Sequence, residues 1–383
     1  MQYRHFGKLD VKPSLLGFGA MRMPIIDGDT SKINEPEAIK MIRASIDGGV
    51  NYVDTAYPYH GGQSEYTVAK ALKDGYREKV SLASKNPTWL IEKQGDFTKY
   101  LDEQLGKLEV DCIDFYLQHA FEGERWKIFK DLNVYEEAMK AKADGKIKYF
   151  GFSFHAEYDV FEDIINTYDW DFCQIQYNFL DEDYQAGTKG LKLAASKNIG
   201  VVVMEPLRGG RLADKMPEDL VEEYNQASVK RSKVDWALRW VANHPEVSTI
   251  LSGMSTMEQV EENLKICSAQ DILPGTALNA EEEAMIKHVA DTWNKRILVG
   301  CTACNYCMPC PVGVNIPECF AIYNLYGSAA PSAIMKSKKQ YKDLIEAGTS
   351  ASACVACGAC VSQCPQSIDI PAKLAELDKI LAE

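Results

Sequence analysis

Eight of the twelve cysteines fall in two runs of four, Cys301 to Cys310 and Cys354 to Cys364. One run reads Cys301-x-x-Cys304-x-x-Cys307-x-x-Cys310-Pro311, and the other Cys354-x-x-Cys357-x-x-Cys360-x-x-x-Cys364-Pro365. Thiolates at such spacing ligate soft metals, as zinc sites or iron–sulfur clusters. Structural zinc pairs two Cys-x-x-Cys knuckles about a dozen residues apart. Here each run crowds four cysteines and closes on Cys-Pro, the spacing of a 4Fe-4S ligand set. Two runs imply two clusters. When two such clusters share a chain, three closely spaced cysteines wrap one cube and the fourth reaches the other. Cys301, Cys304, Cys307 and Cys364 are therefore assigned to one cluster, and Cys354, Cys357, Cys360 and Cys310 to the other.

A second constellation is spread more widely. Asp54, Lys85 and His119 each end a short apolar run, and Tyr59 lies five residues past Asp54. A phenol, an ammonium, a carboxylate and an imidazole in one cleft make a proton donor for a carbonyl under hydride attack. Tyrosine alone is a poor acid, with a pKa of about 10. A neighbouring Lys85 cation lowers it by favouring the phenolate, and Asp54 keeps that lysine charged and oriented. His119 can hydrogen-bond the substrate oxygen or share the proton. Tyr57 is a rival acid, but the spacing from Asp54 favours Tyr59. Taken singly, each residue reads as a cap, a loop charge or packing; at successive strand ends they read as a site.

Such a site needs strands that lie side by side. Short β-branched or aromatic runs occur at 13–21, 50–56, 80–86, 113–119, 147–154, 172–179, 199–207 and 248–254. Stretches with apolar residues at helical spacing separate most of them, such as 36–48 and 96–108. Eight alternating units with nearly continuous apolar strands suit a (β/α)8 TIM barrel, whose active site lies at the C-terminal strand ends. A doubly wound sheet would want a third glycine after Gly17-Phe18-Gly19, which is missing. Residues 1–12, with a turn at Gly7, are expected to close the barrel bottom as a hairpin. The expected organisation is a barrel over 1–270, a linker and connecting helix over 271–298, and a small, mainly α-helical iron–sulfur domain over 299–383.

Composition narrows the partners. The 383 residues are 46% hydrophobic and 25% charged, ordinary for a globular protein. The net charge of −13 repels nucleic-acid phosphates. No run approaches the about 18 apolar residues of a membrane span, and residues 1–10 lack the apolar core of a signal peptide. A cytoplasmic protein without membrane or nucleic-acid partners is expected, and thiols there stay available for metal.

Asp54-Thr55-Ala56 followed by Tyr59, Lys85 and His119 resembles the catalytic tetrad of the aldo/keto reductase family, over residues 1–268. The resemblance implies NADPH- or NADH-dependent reduction of an aldehyde or ketone. It also implies a cofactor site beginning at Gly19, Ala20 and Met21. Ser153 and Gln174 would hold the nicotinamide carboxamide beside Met204. Pro206, Leu207, Gly209 and Gly210 would pass along the pyrophosphate, and Gly253, Ser255, Gln259 and Asn263 would meet the adenosine. Many members place Lys and Arg where Gly253 and Gln259 stand, so the choice between NADP and NAD stays open. The cysteine segment resembles the α-helical type of ferredoxin, and the whole chain the ferredoxin-fused branch of the family. A small carbonyl compound is the expected substrate, and a ferredoxin or another redox protein a suitable partner. The alternative function is electron transfer through the clusters, with the barrel as a cofactor-binding or docking module.

Overall fold

The structure, a computed structural model, describes residues 1–328 and 331–382. It divides into two compact units, Met1–Pro206 with Val234–Asn279, and Leu207–Lys233 with the described residues from Ala280 onward.

The first unit contains ten strands: β1 (Leu16–Gly19), β2 (Ile25–Ile26), β3 (Asp29–Ile33), β4 (Tyr52–Asp54), β5 (Ser81–Asn86), β6 (Ile113–Phe121), β7 (Ile147–Phe154), β8 (Phe172–Gln176), β9 (Gly200–Met204) and β10 (Thr249–Ser252). All but β2 and β3 close a parallel barrel in chain order, β10 returning to β1. Each of the eight expected runs contains one barrel strand. Their side chains are buried almost throughout because helices cover the outside and side chains fill the inside, which is why they read as continuous apolar runs. Register aligns the polar ends: Gly19 pairs with Asp54, Asp54 with Ala83, and Ser153 with Gln174.

Residues 1–12 form the expected plug through bridges between Phe6 and Leu9 and between Tyr3 and Ser14. Phe6 is fully buried among Tyr52, Phe115 and Phe172 inside the barrel. Two glycines make this possible. Gly7 turns the chain at φ +53°, and a Cβ on Gly200 would lie 2.1 Å from the Phe6 ring. Trp236 and Trp240, four apart on the helix Lys233–Asn243, are buried in the packing as their spacing suggests.

The second unit is helical where described, with Ala280–Asn294, Ile316–Tyr326, Pro331–Glu346 and Ile370–Leu381 as its longer helices. Phe320, Tyr323, Tyr341, Leu374 and Leu377 form its core together with Cys319, which packs as a small hydrophobe. Among the described residues no helix is long and apolar enough to cross a membrane.

Candidate active site and cluster site

The strand register brings Asp54, Lys85 and His119 to the same end of the barrel. Lys85 Nζ donates to Asp54 Oδ1 at 2.6 Å, to the Thr55 carbonyl at 2.8 Å and to Tyr59 Oη at 3.2 Å. Three acceptors meet the three protons of one ammonium, and the cluster is buried. Tyr59 folds back because the chain after it takes left-handed turns at His60 (φ 53°), Gly61 (φ 62°) and Gly62 (φ 87°). His60 Nδ1 is hydrogen-bonded to the Thr30 carbonyl of β3 at 2.7 Å, which fixes that turn. The Tyr59 ring meets His119 edge-on, centroids 5.9 Å apart. Tyr57 instead donates to Glu103 at 3.1 Å under the Lys107 ammonium. The phenol beside the lysine is Tyr59.

Burial lowers the Lys85 pKa and raises that of Asp54, while their mutual attraction opposes both shifts. Burial, with the charges of Lys85, His155 and Arg125, holds His119 well below the usual histidine range, so its imidazole is neutral. A second buried network lies against this group. Ser84 Oγ donates to Glu65 at 2.7 Å, Gln104 Nε2 donates to the Lys85 carbonyl at 3.1 Å, and Gln104 Oε1 accepts from Tyr116 Oη at 2.7 Å. It fixes the backbone of β5 and was not legible beforehand, since its members come from four separated segments.

The residues expected to bind cofactor fall in both units. Ser153 and Gln174 are neighbours across β7 and β8; Ser153 Oγ accepts from Ala120 N at 2.7 Å, and Gln174 Nε2 reaches Met204 Sδ at 3.4 Å. Gln174 Oε1 is buried without a hydrogen-bond partner among the described residues. An orphaned acceptor costs about 1–3 kcal/mol, so this oxygen suits an amide N–H and the pair fits a carboxamide. After β10, Ser255 N donates to Gln259 Oε1 at 2.7 Å and Asn263 Nδ2 to Ser252 at 2.9 Å, so these residues share one loop–helix junction. Gly19 ends β1, Ala20 and Met21 follow it, and Pro206 ends its segment of the first unit. Leu207, Gly209 and Gly210 belong to the second. Arg22 is an addition. Its guanidinium lies 3.4 Å from Glu205, its stem sits against Gly253, and its carbonyl accepts from Ser255 Oγ at 2.7 Å. A lone arginine directly after Gly19-Ala20-Met21 was the available signal.

The cysteines gather in the crossed pattern. Cys301, Cys304, Cys307 and Cys364 line one pocket with Ile316, Phe320 and Ile370. Cys360 feels the charges of Cys354, Cys310 and Cys357. The two runs repeat their backbone: Ala303 and Asn305 are left-handed, as are Ala356 and Gly358. The N–H groups of Ala303 and Ala356 point to Cys301 Sγ at 3.3 Å and Cys354 Sγ at 3.4 Å. The repeat continues into helices capped by Asn315 and Asp369, each with Pro in the first turn. Burial, then the neighbouring thiols, pushes Cys307 up to about 12. Such a thiol ionises readily only against a metal's charge. Among the described residues no three His, Cys, Asp or Glu side chains close on a single-ion position. The thiols surround a space rather than a point, which fits a cube better than one zinc ion.

The profile of the aldo/keto reductase family matches residues 15–273, and that of a 4Fe-4S dicluster domain matches residues 300–368. L-galactose dehydrogenase of Arabidopsis thaliana is 27% identical over 322 residues, covering 76% of this chain and 97% of its own. The NADH-specific methylglyoxal reductase of Escherichia coli is 26% identical over 311 residues, covering 67% and 91%. The holo form of an aldo-keto reductase from Bacillus halodurans superposes with a TM-score of 0.63 at 26% identity, covering 76% and 96%. The chain is an oxidoreductase that belongs to the aldo/keto reductase family and carries a 4Fe-4S dicluster domain C-terminal to its barrel.

Proposed function

We propose that the barrel reduces an aldehyde or ketone with NADPH or NADH, and that the two cysteine sets hold two 4Fe-4S clusters. The observation that carries this reading is the Lys85 ammonium, 2.6 Å from Asp54 and 3.2 Å from the Tyr59 hydroxyl. The nicotinamide, when bound, supplies a hydride to the carbonyl carbon. Tyr59 gives its proton to the carbonyl oxygen, and the resulting phenolate is stabilised by Lys85, whose charge Asp54 compensates. Neutral His119 donates a hydrogen bond to the same oxygen and helps orient it. Ser153 and Gln174 hold the carboxamide, so that one face of the ring is presented. The charge that develops on oxygen is met by groups already in place, and little reorganisation is required.

Each cluster exchanges one electron, whereas a hydride carries two, and no flavin motif is present to mediate. A second reading, electron exchange between an outside carrier and the cluster of Cys310, Cys354, Cys357 and Cys360, is favoured by the exposure of Cys357 and Val355. Two assays on protein purified without oxygen separate the roles. Oxidation of NADPH or NADH coupled to alcohol formation across a panel of aldehydes and ketones supports the reductase; no turnover with any of them contradicts it. A reduced-cluster paramagnetic signal on adding the nucleotide alone means that electrons pass between the sites, and its absence means the clusters serve another step.

A further inference from the structure

We propose that the substrate is an oxo acid, a carbonyl compound carrying a carboxylate, and that Arg125 receives the carboxylate. The inference rests on the carbonyl-reductase reading and extends it to a substrate class.

The argument starts at the end of β6. Ala120 takes a left-handed conformation (φ 52°), and the register between β6 and β7 shifts between Gln118 and Phe121. The chain then enters the helix Gly123–Asp131, whose cap is the Glu122 side chain, accepting from the N–H groups of Glu124 and Arg125 at 3.2 Å each. Arg125 is thereby returned toward the barrel mouth. Its Nη1 donates to the Ala120 carbonyl at 3.0 Å, and its Nε lies 3.5 Å from Glu122. These contacts hold the guanidinium on two sides, and Nη2 has no hydrogen-bond partner among the described residues.

A line of rings joins this cation to the proton donor. The Arg125 guanidinium carbon lies 5.8 Å from the Trp89 ring centre, Trp89 is 5.3 Å from His119, and His119 is 5.9 Å from Tyr59. Trp89 is 39% exposed, large for a side chain in contact with a buried histidine, and it marks the cleft as open on this side. His155 also faces the arginine, and its buried Nδ1 has no hydrogen-bond partner among the described residues. Burial holds both His119 and His155 in their neutral forms, aided by the Lys85 and Arg125 charges at His119 and by the Arg125 charge at His155. Of the nearby anions, Asp54 is held by Lys85, Glu122 both caps the helix and meets Arg125 Nε, and Glu124 adds a further attraction, which leaves the Nη2 edge for a ligand. Partly buried, with a free N–H edge in an aromatic cleft, Arg125 presents the planar donor arrangement that matches a carboxylate. With the carbonyl at Tyr59, such a substrate spans Trp89 and reaches Arg125 with its acid end.

The test compares butanal with 4-oxobutanoate, which differs by the terminal carboxylate, in the full chain kept anaerobic, with NADPH and with NADH. Wild-type kcat/KM is expected to favour the oxo acid about tenfold or more, chiefly through KM. Arg125→Gln removes that preference, and Arg125→Lys restores part of it, because lysine keeps the charge without the planar pair of donors. No preference in the wild type, or an unchanged preference in Arg125→Gln, overturns the proposal. Calorimetry with succinate, which cannot be reduced, reads the same site without turnover. Binding that is lost in Arg125→Gln supports the proposal and absence of binding overturns it, even if both aldehydes go unreduced and the reductase reading fails.

Discussion

The barrel mouth and the cysteine repeats both gather ionisable groups, and they do so by opposite means. At the mouth, charges come from different strands and balance one another within the protein; Lys85 finds three acceptors without any ligand. In the repeats, the cysteines come from short local runs shaped by left-handed residues at matching positions, and burial with the neighbouring thiols raises the pKa of Cys307 and Cys360, with no countercharge to balance them among the causes. The difference teaches what each site still requires. The mouth is preorganised before substrate arrives, whereas the thiols need a metal's charge to become ligands.

Removing the balancing charge should break the mouth most severely. Lys85→Met is expected to lower kcat by about a thousandfold, read by nucleotide oxidation, while iron content stays at the wild-type level. On the other side, Cys364→Ser should cost about half of the iron, because only one cube loses a ligand. Elemental analysis and visible absorbance check this, and equal loss from both clusters would break the crossed assignment.

The pH profile sharpens the same contrast. Reduction needs a protonated Tyr59 and a charged Lys85, so the rate falls as pH rises. Burial lowers the lysine's pKa, so the fall begins below the ordinary lysine value of about 10.4. His119 is held neutral, and no loss of rate is expected on crossing about pH 6.5. A smaller effect concerns the far end of the barrel. Gly200→Ala puts a methyl group against Phe6 and should lower stability in urea by about 1–3 kcal/mol, with iron content unchanged. The smallest effect expected is at Arg208. With Arg211 it acts on the Cys301 thiol, and Arg208→Gln should move the potential of that cluster to a more negative value in a paramagnetic-resonance titration.

Much of this arrangement was legible because its causes are local or periodic. Barrel strands buried on both faces leave apolar runs, and a cluster ligand set leaves a fixed spacing. Tyr59 could be preferred over Tyr57 because five residues suffice for the chain to fold back. The hairpin of β2 and β3 was missed: it is short and mostly exposed, although Asp27-Gly28, with φ of 52° and 71°, is a turn signal. Glu65 acts through contacts with Ser84 and Gln104 across the fold, and no sequence spacing encodes these, whereas Arg22 stood directly after Gly19-Ala20-Met21. Residues 207–233 follow β9 directly yet pack into the unit that holds the cysteines, a tertiary choice that composition does not reveal.

The central claim is that Tyr59 is the proton donor beside Lys85. The direct measurement is single-turnover oxidation of bound NADPH or NADH by a carbonyl substrate in Tyr59→Phe, with nucleotide affinity measured on the same sample. The account predicts near-complete loss of the chemical step with affinity retained. Wild-type single-turnover rates in the variant would contradict it.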